Sequence, residues 1–99
     1  MKDLLIVEDD PTLGEGIRLA LQAPELRPQL CRSLADAGEL LSRRSFDLLI
    51  LDINLPDGNG LDFLRALRRE SAVPVILLTA NDLETDIVAG LEVGADDYI

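Results

Sequence analysis

Four consecutive large aliphatics, Leu48-Leu49-Ile50-Leu51, run directly into a carboxylate, Asp52, and then into the turn-forming stretch Asn54-Leu55-Pro56-Asp57-Gly58. A run with no polar face reads as a strand buried on both sides, the pattern of a central strand in a parallel sheet. Asp52 then stands at the carboxyl end of that strand, facing a loop. In open α/β sheets ligands bind along this edge, and a carboxylate there is a candidate nucleophile or metal ligand. For Asp52 taken alone, capping of the loop is the competing reading, because aspartate is common in turns.

The pattern repeats along the chain. Leu4-Leu5-Ile6-Val7 is a second apolar run ending in acid, at Glu8-Asp9-Asp10. Pro11 suits the first turn of a helix that Asp10 can cap, with Leu13, Ile17, Ala20 and Leu21 on one face. Gly14 and Gly16 weaken that helix by up to about 1 kcal/mol each, so packing must hold it. Leu26 to Cys31 contains Pro28, which has no amide to donate, and reads as an edge strand. Ser33 caps a helix with Leu34, Ala37, Leu40 and Leu41 on one face. After the loop beyond Asp52, a further helix turns Leu61, Leu64 and Leu67 inward and Arg65, Arg68, Arg69 and Glu70 largely outward. Val73 to Leu78 is the next strand and ends on Thr79. A helix carrying Leu83, Ile87 and Leu91 follows, stopped by Gly94, and Ala95 to Ile99 begins a fifth strand.

Strands alternating with helices at this spacing imply right-handed β-α-β units and one parallel sheet. The expected fold class is α/β, a flavodoxin-like doubly wound sheet of order 2-1-3-4-5, with Pro-bearing strand two outermost. Ninety-nine residues allow a single domain. A net charge of -10 opposes binding of nucleic acid or anionic membrane by this segment itself. One cysteine, Cys31, excludes an intrachain disulfide and fits a reducing cytoplasm. No apolar run approaches the ~20 residues of a membrane span. The absence of histidine removes Ser-His-Asp and Cys-His catalysis and most zinc chemistry.

Right-handed crossovers put Glu8, Asp9, Asp52 and Thr79 on one edge of the sheet, and the order 2-1-3 brings Glu8 and Asp9 beside Asp52. Three carboxylates so close repel unless protonated or bridged by a cation. Oxygen-only ligands with open water positions suit Mg²⁺ and a phosphoryl group. A carboxylate beside Mg²⁺ can attack phosphorus to give an acyl phosphate, whose oxygens Thr79 could hydrogen-bond. The competing reading of Thr79 is a hydroxyl that simply closes a strand.

These residues resemble the response-regulator receiver domains of two-component signalling over the whole length. Ile6-Val7-Glu8-Asp9-Asp10 resembles the family's acidic pair, Leu51-Asp52 through Leu55-Pro56-Asp57-Gly58 its phosphoacceptor loop, and Leu78-Thr79-Ala80 its switch threonine. The segment from Gly90 to Ile99 most resembles the OmpR/PhoB-like subfamily. The resemblance implies that Asp52 accepts the phosphoryl group and that Glu8, Asp9, Asp52 and the backbone carbonyl of Asn54 hold Mg²⁺. It also makes Tyr98 a rotating switch aromatic, where sequence chemistry alone favours an edge-strand tyrosine with a wet hydroxyl. The implied partners are a sensor histidine kinase and a second copy, joined through the helix at 83–93 and the strand at 95–99. DNA would be met only through an effector domain absent from these 99 residues.

One departure concerns the end of the chain: the family's Lys-Pro motif would fall two residues beyond Ile99, and a fifth helix after it. Residues 1–99 are therefore expected to be a receiver domain incomplete at its carboxyl end, with Leu5, Val7 or their neighbours and the face of the helix at 13–21 meeting water. Two alternatives to a phosphorylation switch are a Mg²⁺-dependent aspartyl-phosphate phosphotransferase or phosphatase and a phosphorylation-independent interaction module. The first needs a general acid/base, and Asn54 stands where a second aspartate would serve. Retention of all three acids and Thr79 argues against the second.

Overall fold

The apolar runs pair side by side and in parallel. In the computed structural model, which describes residues 1–78 and 94–98, the elements are β1 (Lys2–Val7), α1 (Pro11–Ala20), β2 (Leu26–Cys31), α2 (Leu34–Arg43), β3 (Leu48–Asp52), β4 (Asn54–Leu55), β5 (Gly58–Asn59), α3 (Gly60–Leu67), β6 (Val75–Leu78) and β7 (Asp97–Tyr98). The main sheet has the order β2-β1-β3-β6-β7, all pairs parallel. Counted by its own five strands, this is the expected 2-1-3-4-5 arrangement. The helix expected at 83–93 and the strand end at Thr79 lie outside the described residues.

Registry divides the side chains between two layers. Val7 lies opposite Cys31 on β2 and Leu51 on β3, and Leu51 lies opposite Leu77 on β6. Leu5, Leu49 and Val75 form the row before it. Both rows are buried with Ala37 of α2 and Leu64 of α3 in one apolar cluster. Leu4, Ile6 and Ile50 alternate to the opposite face and are buried there too. The expectation that Leu5 and Val7 would meet water is thus corrected: both are fully buried under α2 and α3. On α1, by contrast, Leu13 and Leu19 are 48% and 56% exposed.

Each helix starts where its cap dictates. Asp10 accepts from the amides of Thr12 and Leu13, Ser33 from Asp36, and Asn59 from Leu61, with Pro11 at the first position of α1. The buried stripe of α1 begins at Gly14 rather than Leu13. A Cβ at Gly14 would lie 2.9 Å from a Leu30 methyl, so the glycine lets the helix sit against β2 and turns Leu13 outward. Ile17 and Leu21 keep their expected inward placement, while Ala20 is exposed.

Two further departures bear on the site. The loop after Asp52 is not irregular: β4 and β5 form an antiparallel hairpin with Asn54 opposite Asn59. Arg68, expected to point outward, is partly buried. It donates to the carbonyls of Gly94, Ser71 and Val73 at 2.9, 3.3 and 2.7 Å and pairs with Asp96 at 3.2 Å. Asp96 in turn accepts from the amide of Val75 at 2.8 Å, so one guanidinium ties the ends of α3, β6 and β7 together.

The hairpin closes onto α3 at Gly60, whose amide donates to the carbonyl of Ile53 at 2.6 Å. A Cβ there would meet the Asp52 carbonyl oxygen at 2.3 Å, a clash with backbone that no rotamer relieves. Gly60→Ala is therefore expected to cost at least about 1–3 kcal/mol. Gly16 has nothing within 4 Å of an added Cβ, so Gly16→Ala should stabilise by up to about 1 kcal/mol. Urea midpoints moving in opposite directions for the two variants are the expected outcome, and two equal midpoints would refute it.

Candidate metal and phosphoacceptor site

Parallel pairing of β1 with β3 carries Glu8 and Asp52 to the same edge, one step beyond the Val7–Leu51 pair. Glu8, Asp9 and Asp52 each offer a carboxylate oxygen, and the three oxygens lie within 4.8 Å of one another. Glu8 is 3% and Asp52 8% exposed, whereas Asp9 faces solvent. The sequence reading thus places all three acids correctly. Asn54 is exposed on β4, and its amide donates to Asp52 Oδ1 at 3.3 Å. Tyr98 falls in β7 opposite Leu77. Thr79 lies outside the described residues.

The three acids lie close together without a neighbouring base among the described residues. None of the three acids has a salt-bridge partner among the described residues. Glu8 Oε2 is buried with no hydrogen-bond partner among them either. A buried, unpartnered carboxylate oxygen is costly unless it is protonated or meets a cation. Burial is the main cause that raises the Glu8 carboxyl from 4.5 to about 8. The adjacent Asp52 carboxylate adds to the rise, and a backbone amide at Asp10 partly opposes it. The donor set is all oxygen, with one open, solvent-facing side at Asp9. It suits a hard divalent cation that keeps some of its water.

The loop around Asp52 holds residues that sequence reasoning leaves unassigned. Asp57 Oδ1 and Oδ2 accept from the amides of Leu34 and Ala35, both at 2.9 Å, reaching the amino end of α2 from the turn between β4 and β5. These two hydrogen bonds hold the Asp57 carboxyl below its usual range. The turn residues are Pro56 and Asp57, between the paired Leu55 and Gly58, and Pro followed by Asp is a general turn signal rather than a specific hairpin one. The target of Asp57 on α2 leaves no local trace in the sequence.

A parallel sheet of order 2-1-3-4-5 with an acidic triad on its carboxyl edge is the architecture of a receiver, and comparison with known proteins agrees. The family model for the response regulator receiver domain matches residues 4–99, and the chain belongs to that family. It is 45% identical over 103 residues to the KDP operon transcriptional regulatory protein KdpE of Escherichia coli strain K12, spanning 100% of this chain and 44% of that protein. It is 46% identical over 97 residues to the response regulator protein PmrA of Pseudomonas aeruginosa, spanning 97% and 44%. The chain thus spans under half the length of these curated relatives. Among solved structures, the receiver domain of the TMAO respiratory system regulator TorR superposes with a TM-score of 0.92 at 39% identity, covering 100% of this chain and 82% of that one. The BeF3-activated N-terminal receiver domain of Klebsiella pneumoniae RstA gives 0.92 at 35%, covering 98% and 83%. No helix among the described residues is long and apolar enough to cross a membrane.

The raised Glu8 carboxyl has a consequence for stability. The folded chain keeps a proton on Glu8 up to about pH 8 that the unfolded chain releases near 4.5. Stability of the metal-free protein is therefore expected to fall as pH rises through that window and to level off above it. Glu8→Gln should remove this contribution, at most about 1.4 kcal/mol per pH unit. Urea unfolding at pH 5 and pH 8 with a chelator checks it: parallel pH dependence in the wild type and Glu8→Gln would contradict the assignment.

Proposed function

We propose that this receiver domain is a phosphorylation-controlled switch in which Asp52 accepts a phosphoryl group from a histidine of a sensor kinase, with Mg²⁺ held by Glu8, Asp9, Asp52 and the backbone carbonyl of Asn54. The observation that carries the reading is the convergence of three carboxylates, two of them buried, at the end of the central strand. An Asp52 oxygen forms the new P–O bond as the P–N bond to the kinase imidazole breaks, and the imidazole takes up a proton. The acyl phosphate then loses its phosphoryl group to water. Held by these residues, Mg²⁺ would supply positive charge to offset that of the transferred oxygens. Asp52 is buried, with the Asn54 amide of the β4–β5 hairpin on its Oδ1, a setting that suits an attacking carboxylate shielded from competing water.

In the same proposal Thr79 hydrogen-bonds a phosphoryl oxygen and draws its loop inward, and Tyr98 takes the space vacated. The surface of residues 83–93 and 95–99 then joins a second copy. Output is transcriptional, through a DNA-binding domain attached to the receiver, a reading supported by the name of KdpE, a transcriptional regulatory protein, and by the greater lengths of KdpE and PmrA. The chain's charge of -10 is consistent with leaving DNA contact to that domain. The setting is the cytoplasm, where Cys31 stays reduced. A phosphotransferase or phosphatase reading is disfavoured because Asn54, two residues after Asp52, offers no proton-transferring carboxyl.

Acetyl phosphate with Mg²⁺ is expected to label the protein once, at Asp52, with slow loss of label, and Asp52→Asn is expected to take none. Repeated fast release of phosphate would instead identify a phosphatase, and absence of labelling an interaction module. Asp9→Asn should weaken Mg²⁺ binding by about 10-fold or more, read by calorimetry, while relieving repulsion in the metal-free fold.

A further inference from the structure

The β4–β5 hairpin is fastened at both ends. At its base the Asn59 side chain accepts from the Leu61 amide at 2.7 Å and the Gly60 amide donates to the Ile53 carbonyl, which fixes it to α3. At its tip both Asp57 carboxylate oxygens accept from the first two amides of α2 at 2.9 Å. The contact is close: a Cβ at Gly58, with φ +157°, would lie 3.0 Å from a Leu34 methyl. Yet α2 already has a local cap, since Ser33 Oγ accepts from the Asp36 amide at 3.1 Å. Asp57 therefore adds a second, long-range cap to a helix 22 and 23 residues away in sequence.

What Asp57 adds beyond capping is a fixed position for the hairpin. Asn54, opposite Asn59 in that hairpin, also donates to Asp52 Oδ1. We propose that Asp57 is a positioning residue for the cation site: by pinning the hairpin tip to the amino end of α2 it holds Asn54 and Asp52 in the spacing that a divalent cation requires. This rests on the acidic cluster being a cation site. Because coupling is reciprocal, cation binding must tighten the Asp57 clamp by the same factor by which the clamp favours the cation. The amino end of α2 thereby senses occupancy at Asp52.

The experiment compares Mg²⁺ affinity by calorimetry in the intact chain for the wild type, Asp57→Ala, Asp57→Asn, Ser33→Ala and Asp9→Asn. Asp57→Ala is expected to weaken Mg²⁺ by about 10-fold, the loss usual for partners outside the ligand set. Asp57→Asn, keeping one acceptor oxygen, should recover part of that loss. Ser33→Ala removes the local cap of the same helix and is expected to leave Mg²⁺ affinity within about twofold, well under that loss. Equal weakening by Asp57→Ala and Ser33→Ala would overturn the proposal, because the effect would be helix stability alone. Wild-type affinity in Asp57→Ala with a clear loss in Asp9→Asn would overturn it while leaving the cation site standing. No loss in Asp9→Asn would remove the cation site itself. A measurement on the wild type stands if Asp57→Ala does not fold. On adding Mg²⁺, hydrogen exchange of the Leu34 and Ala35 amides should slow about fivefold or more relative to the Asp36 amide. An unchanged ratio overturns the positioning role.

Discussion

Two buried carboxylates held side by side are the constraint around which the rest of this structure is arranged. Glu8 and Asp52 do not choose their separation: the registry of β1 on β3 imposes it. That registry is in turn fixed by the rows Leu5–Leu49–Val75 and Val7–Leu51–Leu77, all fully buried. Burying one such side chain is worth about 1.5–3 kcal/mol. A slip of one residue would turn both rows to the opposite face. The proton that folded Glu8 keeps up to about pH 8 relieves the repulsion between the two groups, while the buried rows keep them side by side.

The two ends of the sheet handle charge in opposite ways. At the amino ends of the strands, Asp3 pairs with Arg27, and Asp47 accepts from the Asp3 amide. Arg68 satisfies three carbonyls and Asp96, and Arg44 lies over the Phe46 ring 4.6 Å from its centroid. At the carboxyl ends, the three acids share no cation among the described residues. A chain with twice as many acids as bases, 19 against 9, could scatter its excess over the surface. Concentrating part of it in partly buried positions makes that edge, among the described residues, a place where a cation has much to gain.

Much of this was legible in the sequence because it depends on local pattern. Apolar runs ending in acid specify both the strands and the edge, and Pro28 identifies the outer strand. The caps at Asp10 and Ser33 are readable because a cap bonds amides two or three residues away. What escaped depends on distant partners. Leu13 and Gly14 exchange places on α1 because Leu30 crowds the helix, a fact about β2. Arg68 reads as a surface residue until Gly94 and Asp96 arrive from the end of the chain. The hairpin strands are two residues each, too short to carry a periodic signal, and their turn formers read equally well as loop.

The hairpin also explains how a rigid sheet can carry a site that must take in a charged group. A phosphoryl group brings about -1.5 to -2 charges to an edge already holding three carboxylates. Repulsion of that size cannot be relieved by moving β1 or β3, whose positions the core fixes. Relief must come from a cation, from protonation, or from the segments that are not part of the sheet. The hairpin from Asn54 to Asn59 is such a segment. It touches Asp52 through the Asn54 amide, α2 through Asp57 and α3 through Asn59. A change in charge at Asp52 therefore acts first on an element outside the sheet that hydrogen-bonds α2 and joins α3, while the core remains as it was.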